Sequence, residues 1–95
     1  MSKDDNATTN LDFSDNDVLM ALTGPHDRHL KRIEQRLGVS LILRGTTLHL
    51  EGPEPEVSYA KGALQYLQSQ IQKGFTVDSE EVEAAIRMAS ATVAI

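Results

Sequence analysis

Five residues, Thr23-Gly24-Pro25-His26-Asp27, constrain this chain most, because they stand between two stretches that both favour helix. Asp15–Leu22 places Val18, Leu19 and Leu22 on one face. Arg28–Leu37 spaces Leu30, Ile33 and Leu37 at helical intervals and puts Arg28, Lys31, Arg32, Gln35 and Arg36 on its other faces. Gly24 lets the backbone turn where other residues resist, and Pro25 has no N–H with which to continue a helix. The two stretches therefore become short helices meeting at a corner, not one rod. Ser14 is expected to cap the first, with Asp17 three residues on in a near capping box. Asp27 is expected to cap the second and Gly38 to end it.

Strand patterns flank this pair. Thr8 to Phe13 alternates Leu11 and Phe13 with Asn10 and Asp12. Val39–Leu43 and Leu48-His49-Leu50, joined by Arg44-Gly45-Thr46-Thr47, read as a hairpin. After Gly52-Pro53-Glu54-Pro55, a long helix is expected from Glu56 to Lys73, with Val57, Ala60, Leu64, Leu67 and Ile71 as its stripe. Gly62 weakens that helix unless a neighbour packs close to it. Gly74 closes it, Phe75 to Asp78 forms a link, and Asp78 or Ser79 caps a last helix with Val82, Ala85, Ile86 and Ala89 on its apolar face. Glu80, Glu81 and Glu83 at the start of that helix complement its dipole. The order is β-α-α-β-β-α plus a C-terminal helix. It predicts an α+β two-layer sandwich on a three-stranded antiparallel sheet. Residues 1–7 are expected to be a disordered polar tail, 8–74 the domain, and 75–95 a helix and linker. The apolar end Ala91–Ile95 either leads into a further domain or docks on this core.

Ninety-five residues make one domain. The chain has no cysteine, which excludes disulfides, thiolate metal sites and cysteine nucleophiles. No apolar run approaches the roughly 18 residues a membrane helix needs, and the polar, acidic start is not a secretory signal. A cytoplasmic protein without a membrane partner is the expectation.

Net charge is −5 but unevenly spread. Residues 1–23 sum to −4, from Lys3 against five aspartates. Residues 24–50 sum to +3, from Arg28, Lys31, Arg32, Arg36 and Arg44 against Asp27 and Glu34. Residues 51–95 sum to −4. A basic middle inside an acidic chain is the footprint of phosphate contact or, equally, of a solvated helix face. His26, His29 and His49 have no carboxylate arranged to complete a metal site, so none is expected. No serine or threonine stands with a base and an orienting group, so no catalytic residue is expected either.

The order of elements, with a glycine-containing break between the first two helices, resembles a type I KH domain. Leu22-Thr23-Gly24-Pro25-His26-Asp27 sits where KH domains carry their GxxG loop. A closer resemblance is to the N-terminal region of PhoH-like (phosphate starvation-inducible) P-loop ATPases. It rests on Leu22-Thr23-Gly24-Pro25-His26-Asp27, Leu30, Ile33-Glu34, Leu37-Gly38-Val39, Arg44-Gly45 and Gly52, and covers about residues 8–90. The resemblance implies single-stranded RNA binding through Gly24, Pro25, His26, Asp27, Arg28, Lys31, Arg32 and Arg44, with bases held in a groove beside Val39–Leu43. It also implies a covalently attached ATPase domain. ATP and Mg would belong to that domain alone, since no G-x-x-x-x-G-K-[ST] occurs here. Two departures weaken the clamp on phosphate. Asp27 replaces a second glycine, and Pro25 removes an N–H. The alternative is a domain of the same fold that binds no RNA and serves assembly or regulation. Self-association is left open.

Overall fold

The computed structural model describes residues 6–91. Its elements are β1 (Asn6–Asp12), α1 (Asn16–Thr23), a 3-10 turn (Pro25–Asp27), α2 (Arg28–Leu37), β2 (Ser40–Arg44), β3 (Thr47–Pro53), α3 (Glu56–Gln72) and α4 (Ser79–Ala91). The expected element order is present. β1 starts and ends earlier than its alternation suggested, because Asn6 and Ala7 pair with Pro53 and Gly52, whereas Phe13 leaves the strand to fill the core. Residues 1–5 of the expected tail and 92–95 of the apolar end lie outside the described residues.

β3 is the middle strand of an antiparallel sheet ordered β1-β3-β2. The two-residue turn Gly45-Thr46 closes the β2–β3 hairpin, and Phe13 N donates to Thr46 O at 2.9 Å, tying the end of β1 to it. Leu48 and Leu50, central in the sheet, are completely buried. The row Ala7, Thr9, Leu11, Leu41 and Leu43 shares their face, against which the helices pack. The opposite face carries Thr8, Asn10, Asp12, Ile42, Arg44, His49 and Glu51 toward solvent. Gly52 is needed because a Cβ there would come within 3.1 Å of the Val39 backbone.

α3 crosses the inner face on Val57, Ala60, Ala63, Leu64 and Leu67. α4 joins the same core through Val82, Ala85 and Ile86. Gly62 is where α3 and α4 approach, since a Cβ added there would sit 3.8 Å from Ala89 Cβ. Each fully buried Leu or Ile contributes about 1.5–3 kcal/mol by leaving water. Asp78 caps α4, its Oδ1 accepting from Glu81 N at 3.1 Å. The cap of α1 is Asp15 and not Ser14: its Oδ1 accepts from Asp17 N at 2.9 Å, and the helix begins one residue later than expected. No helix among the described residues is long and apolar enough to cross a membrane.

Candidate nucleic-acid interface

The corner between α1 and α2 is built on unusual backbone. Gly24 has φ 76° and ψ 174°, a conformation that side chains oppose. It also lies on the ring of His29, so that a Cβ would meet His29 Nδ1 at 2.9 Å. His29 is buried and donates from Nδ1 to the Leu22 carbonyl at 3.1 Å. It is a structural pin beneath the turn. His26 and Asp27 follow at φ 55° and 58°, both left-handed. Such a conformation costs a non-glycine residue about 1–2 kcal/mol, less for Asp, and tends to gather at functional sites.

That geometry corrects the role expected of Asp27 as a helix cap. A capping residue takes an extended backbone that aims its side chain at the first free N–H groups. Left-handed Asp27 does not, and it makes no capping hydrogen bond. Pro25, His26 and Asp27 are exposed, so the turn presents its backbone and one carboxylate to solvent.

The basic residues divide. Arg28 and Lys31 are exposed and make no ion pair among the described residues. Arg32 turns toward α4, where its Nη1 meets Glu83 Oε2 at 2.7 Å. Arg36 Nε reaches the other oxygen, Oε1, at 3.2 Å. Arg32 Nε is buried without a hydrogen-bond partner. Arg44 lies on the solvent face of the sheet, in a depression shared with Thr8, Ile42, His49 and Glu51. The sheet itself therefore separates Arg44 from the Gly24 corner. The structure brings together Gly24 to Asp27 with Arg28 and Lys31, engages Arg32 elsewhere, and leaves Arg44 apart. No group of three or more His, Cys, Asp or Glu gathers as a metal site among the described residues.

The groove expected beside Val39–Leu43 is altered as well. Val39 and Leu41 are buried in the core, and Glu34 Oε2 accepts from Leu41 N at 2.7 Å. A carboxylate thus sits on the edge of β2.

Sequence reading passed over Phe75. It follows Gly74 in the α3–α4 link, yet 57% of it is exposed, beside Met20 at 63%. With Gly24, Pro25 and Val77 they line a cleft of about 510 Å³ against the corner. An adjoining cleft of about 390 Å³ holds Arg28, Asp78 and Glu80. The signal for Phe75 was a large apolar residue in a polar link, with no strand or helix period to bury it.

No protein-family model matches the chain. The chain is 33% identical over 73 residues to a PhoH-like protein of Bacillus subtilis (strain 168). The match takes in 77% of this chain and 23% of that protein, so the chain spans under a quarter of its curated relative. Among solved structures, a protein of unknown function from Aeropyrum pernix superposes with a TM-score of 0.71 at 16% identity, over 95% of this chain and 50% of that one. Dim2p from Pyrococcus horikoshii OT3 does so with a TM-score of 0.68 at 18% identity, over 87% of this chain and 49% of that one. At those identities the likeness is one of fold.

Proposed function

We propose that this chain is the N-terminal, KH-like, single-stranded-RNA-binding module of a PhoH-like P-loop ATPase. The observation that carries the reading is the Gly24–Asp27 turn. It pushes left-handed backbone out between two short helices, with Arg28 and Lys31 beside it in no ion pair among the described residues. Exposed backbone next to two exposed cations suits a nucleotide backbone, which needs close approach and positive charge. The 33% identity to a PhoH-like protein supports the family, and the fold shared with Dim2p supports the layout. The module catalyses nothing itself. ATP and Mg bind an attached domain, and the module delivers RNA to it in the cytoplasm.

The test is a titration of short single-stranded RNA into isotope-labelled protein. Amide shifts should cluster from Gly24 to Lys31. The logarithm of affinity should fall with the logarithm of salt at a slope of about −1.4, the value for two phosphates neutralised on a single strand. Absence of shifts at millimolar RNA overturns the reading.

One set of contacts favours a second reading, an assembly or regulatory domain without RNA. Glu83 occupies Arg32 and Arg36, and Glu34 occupies the β2 edge, so carboxylates already sit where phosphate and base would go. Under it, the same titration is silent.

A further inference from the structure

We infer that Phe75 is a base-stacking platform: one nucleobase of a single-stranded RNA enters the cleft between Phe75, Met20 and Pro25, while its phosphate lies toward Arg28. The inference rests on the RNA reading and adds a contact outside the Gly24–Asp27 turn and α2.

The backbone of Phe75 is held in place. Gly74, at φ 96°, donates to Ile71 O at 2.9 Å, and Phe75 N donates to Gln70 O at 3.0 Å. These two bonds are the Schellman end of a helix, which normally lays its next apolar residue against the helix. Here more than half of the residue stays exposed. A ring already uncovered, on backbone already fixed, meets a base without rearrangement of the chain, which suits stacking.

The cleft fits a base better than a backbone. Its volume of about 510 Å³ lies within the range of small-molecule sites, roughly 300–1,000 Å³. Pro25, His29 and Val77 line both this cleft and the adjoining one, so the two are neighbours. Among the described residues, Arg28 lines the adjoining cleft together with Asp78 and Glu80. Asp78 is engaged as the cap of α4. The acids repel phosphate from the side of the link, and Arg28 attracts it to the side of the turn. A nucleotide therefore enters with its apolar face toward Phe75 and its charge toward Arg28.

The experiment uses the whole chain and a short oligo(A) RNA. Phe75→Ala should weaken binding about five- to a hundredfold and leave the salt slope unchanged, because stacking carries no counterion. Arg28→Ala should lower both affinity and slope. Phe75→Trp should keep binding and give the chain, which has no tryptophan, one emission that RNA quenches. If wild type binds and Phe75→Ala binds equally well, or RNA leaves the Trp emission unchanged, the platform is wrong and the RNA reading survives. If wild type binds no RNA, both fall. An emission that shifts with protein concentration alone marks the cleft as a contact between copies and overturns the inference.

Discussion

Gly24 meets two demands at once, a positive φ and contact with the His29 ring. Gly24→Ala should therefore cost about 1–3 kcal/mol, read as a lower midpoint in urea with an unchanged slope. An unchanged midpoint would show that the corner can relax. Asp27→Gly acts in the opposite direction. It removes the strain of a left-handed non-glycine residue and also a charge beside Arg28. Stability should stay within about 1 kcal/mol of the parent, and RNA affinity should rise. Equal or weaker affinity in the titration counts against the backbone clamp. Gly24 was legible in the sequence because glycine followed by proline has few other uses between helical stretches. The left-handed states of His26 and Asp27 were not, because neither residue type requires that conformation. Asp before a helical pattern reads by default as a cap.

Helix and strand order could be read from local periodicity, since each stripe of apolar residues lies within one element. What periodicity cannot report is which polar residues meet across elements. Arg32 and Glu83 are 51 positions apart, and nothing near either one announces the pair. The consequence falls on α2: two of its four basic side chains are held by α4. Glu83→Gln should cost only about 0.2–1 kcal/mol, as these partly exposed pairs are screened by water. It should also release Arg32 and Arg36 toward solvent, so single-stranded RNA should bind more tightly and with a steeper salt slope than to the parent chain. An unchanged slope in fluorescence anisotropy would mean that α4 shields those arginines by packing alone. The Asp15 cap was a near miss of the same kind: Ser14 and Asp15 both suit the position, and the choice depends on where Phe13 enters the core.

For the molecule as a whole, the segment charges foretold a basic centre in an acidic chain but not its division between two faces. The sheet separates Arg44 from Arg28 and Lys31, and a linear sum cannot see a sheet. Arg44→Ala should accordingly leave RNA affinity unchanged within about twofold, whereas paired substitution of Arg28 and Lys31 should reduce it at least tenfold at low salt. A large loss for Arg44→Ala would require RNA to wrap over the hairpin.

The carboxylate of Glu34 on the β2 edge bears on how copies of this molecule can meet. Sheets grow by offering bare strand margins to one another. On the β2 side, the amide of Leu41 is already spoken for, whereas the outer margin of β1 makes no backbone hydrogen bond among the described residues. Joining through β1 consumes the same margin on both molecules, so a two-fold pair would turn outward the β2 margins, where further pairing would have to displace Glu34 from the Leu41 amide.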